Sequence, residues 1–188
     1  MATAVAATAE RFGRLDVVVA NAGIVPPWSD TTELDLDQLD AVFAVNVRGV
    51  AATLKHGVAA LRDHGGSVVV TASLNSWRAH ASQPVYTASK HAVLGLLRTA
   101  ALDAGRHGVR VNGLAPGPIL TDALRARLEA RAAEGGLPVE EALAQAAAGT
   151  ALGRIATEDD VAGAALFLAS DLAAGITGVL LPIDGGIA

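Results

Sequence analysis

The sequence predicts an α/β layer fold built on a parallel sheet, and three observations carry that prediction. Four short runs rich in valine, leucine and isoleucine are spaced along the chain: "LDVVVANAG" (15–23), "GSVVVTAS" (66–73), "VRVNGLAPG" (109–117) and "GVLLPIDGG" (178–186). Each run has an uninterrupted apolar stretch where a half-exposed strand would alternate, the pattern of a strand covered on both faces. Helix-length segments separate the runs, so strand and helix alternate, which favours right-handed crossovers between parallel neighbours.

The helical segments follow from spacing and from start and stop signals. Residues 35–62 come after a turn rich in Thr, Asp and Glu and place Leu36, Leu39, Val42, Phe43 and Val47 at helical intervals. Residues 84–104 open at Ser82-Gln83-Pro84 and close at Gly105. Residues 122–148 form the most polar helical region, broken by Gly-Gly-Leu-Pro. A short amphipathic helix from Glu158 to Ala169 precedes the last strand. The 122–150 segment is expected to form either two surface helices or a mobile lid over a pocket at the carboxyl edge of the sheet. No repeat or low-complexity linker divides the chain, and residues 1–188 read as one domain.

Composition narrows the function. With 52% hydrophobic and only 3% aromatic residues, the core must be built from Ala, Val, Leu and Ile. The net charge of −5 and the scatter of the 14 cationic residues argue against a nucleic-acid partner. There is no cysteine, so disulfides, a thiol nucleophile and a Cys-type zinc site are excluded, which suits a cytoplasmic location. The opening "MATAVAATA" has no basic leader and is ended by Glu10-Arg11, unlike a secretory signal. Apolar stretches are interrupted well before the roughly 18 residues of a membrane span, so no membrane association is expected.

Chemistry enters at "YTASK", residues 86–90, which holds the only tyrosine and one of the two lysines. On a helix the i, i+4 spacing stacks Tyr86 and Lys90 on one face. A free phenol titrates near 10 and is a poor acid or base at neutral pH. A nearby cation favours the phenolate and is expected to bring Tyr86 toward the range where proton transfer is efficient. Such a pair suits proton exchange with a carbonyl and alcohol couple. Ser73 ends the second strand, at the edge of a parallel sheet where ligands bind, and can meet the same substrate oxygen. Asn46, in "AVNVRG", stands mid-helix, where asparagine is disfavoured and needs a reason. Leu74, Trp77 and Gln83 flank the predicted pocket, with Trp77 either a pocket wall or ordinary packing.

Taken in order, "NAG" after the first strand, "VNVRG", Ser73, "YTASK", "APGPILT" and the closing "LGR…EDDVAGAALFLASDLAAGITGVLLPIDGG" resemble the short-chain dehydrogenase/reductase family over residues 10–188. The resemblance implies a Rossmann-like, doubly wound parallel sheet and an NAD- or NADP-dependent oxidoreductase that interconverts a secondary alcohol and a ketone. It implies Tyr86 as acid/base and Ser73 as the group that orients the substrate oxygen. Lys90 would hold the nicotinamide ribose and lower the Tyr86 pKa, and Asn46 would fix a proton-relaying water. Tyr86 and Lys90 thus belong to the cofactor site as well. Asn21, Ala22 and Gly23 would form the floor on the adenine side, and Pro116, Gly117, Ile119 and Thr121 would meet the nicotinamide carboxamide and the phosphates. A homodimer or homotetramer is implied too, in keeping with the apolar "YTASKHAVLGLLRTAALDA" segment.

Two departures from the family pattern stand out. Ser76 takes the place of a glycine in "ASLNS", which bears on loop geometry. Neither Gly-x-Gly-x-x-Gly nor Thr-Gly-x-x-x-Gly-x-Gly occurs. The family's first strand–helix–strand unit with one further helix and strand, about 60 residues, is expected to be absent, leaving an N-terminally truncated fold that keeps the catalytic half. The residue separating NAD from NADP would go with it. Two other readings therefore stay open: a cofactor-deficient binding or assembly module, and a cofactor-independent isomerase or dehydratase.

Overall fold

A computed structural model describes residues 1–187. The β-branched runs form four strands: β1 (Val17–Ala20), β2 (Gly66–Thr71), β3 (Val109–Pro116) and β4 (Leu180–Ile183). They make one sheet in the order β1-β2-β3-β4, and every pair is parallel. The helices are α1 (Ala2–Phe12), α2 (Leu36–Phe43), α3 (Gly49–Leu61), α4 (Pro84–Gly105), α5 (Asp122–Ala133), α6 (Val139–Ala148) and α7 (Glu158–Ala169).

Both faces of the sheet are covered, as continuous apolar strands require. Val18, Val68, Val70, Val109 and Val111 share a core with Val50, Leu54, Leu61, Val93 and Leu97 of α3 and α4. On the other face Val69 and Leu114 pack with Leu168 of α7. The covering thins at β1, where Val17 and Val19 are 39% and 52% exposed while Val18 and Ala20 are buried. Among the described residues no helix is long and apolar enough to cross a membrane.

The expectation of right-handed crossovers needs correction at one connection. The strand order advances in one direction while the covering helix changes face between α4 and α7. The connection from β3 to β4 through α7 is therefore of opposite hand to the two before it. The handedness rule applies where a strand feeds a helix directly. Here α5 and α6 come between.

Residues 35–62 form one continuous helical stretch, but it is not uniform. A π-helical turn at Ala44–Arg48 separates α2 from α3 and contains Asn46. Such a turn widens the helix by one residue and often marks a functional position. The outer side of α4 is less apolar than its sequence suggests: His91, Gly95, Arg98 and Thr99 are exposed alongside Leu102.

Candidate active site

The carboxyl ends of the parallel strands gather the predicted residues. Ser73 follows β2 and N-caps a 3₁₀ turn at Leu74–Ser76, its Oγ accepting the Asn75 backbone N–H at 3.1 Å. Tyr86 lies in the first turn of α4, which Pro84 opens. The Ser73 side chain acts on its hydroxyl from the end of β2 and favours the phenolate. Lys90, one turn later, is buried and donates to the Thr71 carbonyl at 3.0 Å, tying α4 to the end of β2. Its Nζ lies 5.6 Å from the centre of the Tyr86 ring.

Asn46 is fully buried and bonds not within its own helix but to the loop after β1. Its Oδ1 accepts the Ile24 N–H at 2.8 Å, and its Nδ2 donates to the Ile24 carbonyl at 2.9 Å and to Ser89 Oγ at 3.2 Å. Both side-chain N–H groups are thus committed to protein partners. Ser89 donates in turn to the Tyr86 carbonyl at 2.8 Å, so Asn46 connects the "NAG" loop to the helix that carries Tyr86 and Lys90. A Cβ placed on Gly23 would lie 3.4 Å from Asn46 Oδ1 and 3.8 Å from Lys90 Nζ.

The remaining predicted positions lie on the same edge. Asn21 Oδ1 accepts from Thr71 Oγ1 at 2.9 Å, stitching the ends of β1 and β2, and Ala22 is exposed beside it. Pro116 ends β3, and the Gly117 N–H donates to the Ile183 carbonyl at 3.0 Å. Ile119 bridges to Ala156. Thr121 caps α5, its Oγ1 accepting the Leu124 N–H at 3.1 Å. Ser76 occupies the 3₁₀ turn without a positive φ, so that backbone does not require glycine. Trp77 is 41% exposed.

One expectation is overturned. The Tyr86 pKa is not brought down toward neutrality. Burial raises the phenol above its ordinary 10.0, and the groups that oppose the rise are the Ser73 hydroxyl and the Arg127 cation. The reason is desolvation, which disfavours the charged form of each group. It also pushes the Lys90 ammonium down to about 8 from 10.5.

This has a consequence for stability. Between pH 8 and 10.5 the unfolded chain holds the Lys90 proton that the folded chain has released, so this group's contribution improves as pH rises through that window. Replacing Lys90 with methionine should therefore help most at neutral pH. The stability difference between Lys90→Met and the parent, from urea unfolding at pH 7 and pH 10, should shrink by on the order of 2 kcal/mol. A difference independent of pH would contradict it.

Sequence reasoning missed the pairing of Trp28 with Arg127. Trp28, in the loop after β1, stacks on Arg127 of α5, with the guanidinium carbon 4.1 Å from the ring centre, and Arg131 lies 5.1 Å from it. The available signal was Arg127 and Arg131 at i, i+4 on a polar helix, but nothing local pointed to Trp28. A separate cleft of about 570 Å³ opens at the amino ends of the strands, lined by Asp16, Gly66, Ser67 and Arg110 among others. It lies across the sheet from Tyr86, at the end where parallel sheets do not usually bind ligands.

Comparison with known proteins bears on the family and the fold. A family model described as enoyl-(acyl carrier protein) reductase matches residues 1–188. Short-chain dehydrogenase reductase 3a of Arabidopsis thaliana is 42% identical over 185 residues, covering 97% of this chain and 69% of the relative. L-rhamnose 1-dehydrogenase (NAD(P)(+)) of a Sphingomonas species is 35% identical over 185 residues, with the same coverage of 97% and 69%. The crystal structure of levodione reductase superposes with a TM-score of 0.91 at 34% identity, over 98% of this chain and 70% of that one. Carveol dehydrogenase from Mycobacterium avium, solved in complex with NAD, gives a TM-score of 0.91 at 31% identity, over 98% and 69%. The four-stranded parallel sheet is a Rossmann-like sheet, and the chain belongs to the short-chain dehydrogenase/reductase family of oxidoreductases.

Proposed function

We propose that the chain interconverts a secondary alcohol and a ketone, with NAD or NADP as the hydride carrier. The observation that carries this reading is the meeting of Ser73, Tyr86 and Lys90 at the carboxyl edge of the sheet, with buried Lys90 bonded to the end of β2 one helical turn from Tyr86. The relatives support the cofactor: carveol dehydrogenase is described with NAD, and ElxO, with a TM-score of 0.88 at 28% identity, with NADP.

The residues present fit the nicotinamide-ribose end of such a cofactor. Lys90 Nζ has donors left beyond its bond to Thr71, and Gly23 leaves the approach to it free of a side chain. When bound, the nucleotide supplies or accepts the hydride. Ser73 orients the substrate oxygen, and Tyr86 gives it a proton in reduction or takes one in oxidation. Asn46 holds the "NAG" loop against α4 and serves the proton path from Lys90 through the one acceptor position left on Oδ1. Asn21 and Ala22 form the floor on the adenine side, and Gly23, which the sequence groups with them, stands at the ribose end beside Lys90. Pro116, Gly117, Ile119 and Thr121 meet the carboxamide and phosphate groups.

Residues 122–150, folded as α5 and α6 with Arg125 paired to Glu140 at 3.1 Å, act as the lid over the substrate. The chain works in the cytoplasm as a homodimer or homotetramer. The comparisons do not favour the binding-module and isomerase alternatives. Thermal unfolding with millimolar NADH or NADPH tests the reading, because a ligand that binds only the folded state raises the midpoint by mass action. A rise with at least one nucleotide is expected, and no rise with either would overturn it.

A further inference from the structure

The lid helix carries an arginine with one edge left without a hydrogen-bond partner. Arg127 Nε and Nη2 are buried without a hydrogen-bond partner, and so is Trp28 Nε1 in the ring on which the guanidinium stacks. Nε and Nη2 are the two donors of one edge of the guanidinium, the edge that receives a carboxylate side-on through two parallel hydrogen bonds. A buried donor without a partner is costly, and more so when it is charged. Arg131 adds a second cation on the same ring, one helical turn from Arg127. Like charges at i, i+4 repel. Among the described residues neither arginine forms an ion pair with an acidic side chain.

We propose that this edge of Arg127 anchors a carboxylate on the substrate, so that the ketone reduced at Tyr86 is an oxo acid and its product a hydroxy acid. The inference rests on the alcohol and ketone reading of the Ser73–Tyr86 site and names its substrate class. The loop that carries Trp28 is held to the start of α4, where the Ser29 N–H donates to the Ser82 carbonyl at 3.0 Å, so the Trp28–Arg127 stack stands at the end of the site from which Tyr86 rises. A chain with a net charge of −5 repels an anion overall, so an anionic substrate needs a local cation of this kind. Trp28 Nε1, in the ring stacked on Arg127, is a further donor without a partner, from the loop after β1.

Calorimetric titration tests the assignment with 3-oxobutanoate, 4-oxopentanoate and 5-oxohexanoate, each compared with its own methyl ester. It is run with and without NAD or NADP in the oxidised form, so that no reduction occurs. At least one acid should bind tenfold or more tighter than its ester. Arg127→Met should bring that ratio close to one, and Arg127→Lys, which keeps the charge but loses the fork, should fall between. Equal binding of every acid and its ester would overturn the proposal, as would a preference that survives Arg127→Met. It would also fall if Arg127→Met weakened the nucleotide and left the oxo acid unaffected, since the edge would then belong to the cofactor. An Arg127-dependent acid preference without any turnover would leave the anchor standing and count against the oxidoreductase reading alone.

Discussion

Tyr86→Phe is expected to lower ketone reduction by about 10²–10⁴-fold, the range a positioned general acid contributes. The substitution removes one hydroxyl and leaves the ring. Ser73 keeps its bond from the Asn75 N–H, and Lys90 keeps its bond to the Thr71 carbonyl, so nothing that positions the neighbours is lost. Nucleotide affinity should stay close to that of the parent, and the loss should appear in kcat. Steady-state kinetics with the reduced nucleotide decides it, and a variant that retains turnover would remove Tyr86 from the mechanism. The pH dependence follows from the same residue. Reduction needs the protonated phenol, and burial holds the pKa above 10.0, so the rate should stay level through neutral pH. Oxidation needs the phenolate and should climb as pH rises. Both profiles can be read on the parent protein.

Asn46→Leu is expected to destabilise the fold by about 2–4 kcal/mol, because the Ile24 N–H and carbonyl lose their partner and the apolar side chain excludes water from them. Ser89 is affected less, since its hydroxyl still donates to the Tyr86 carbonyl. The effect should reach function too. Ile24 follows directly after Gly23, and Asn46 sets how close that loop stands to Lys90. Urea unfolding measures the first effect and nucleotide titration the second. A variant as stable as the parent would show that the Ile24 clamp is not structural.

The strands and the long helix α4 were legible because their signals are local: uninterrupted valine runs, and a proline start with a glycine stop. Spacing also made the Tyr86–Lys90 pair legible: the helix buries Lys90 and leaves Tyr86 half-buried one turn before it. What Lys90 does to Tyr86 was not legible, because sequence proximity says nothing about desolvation, and desolvation dominates both groups. The π-turn at Asn46 was hidden for a similar reason: its side chain answers to Ile24, which is remote in sequence. Trp28 and Arg127 meet only because the loop after β1 and the helix after β3 rise from the same sheet edge. The hand of the last crossover depends on which face α7 covers, a tertiary choice that four similar apolar runs do not encode.

Isotope transfer tests the central claim most directly. The chain is incubated with NADH or NADPH deuterated at C4 of the nicotinamide and a panel of ketones that includes the oxo acids, and the alcohols formed are analysed by mass spectrometry. The account predicts deuterium on the carbinol carbon of at least one alcohol, and its loss on Tyr86→Phe. Product without deuterium from either face of the nucleotide, or no alcohol from any ketone, would contradict hydride transfer at this site.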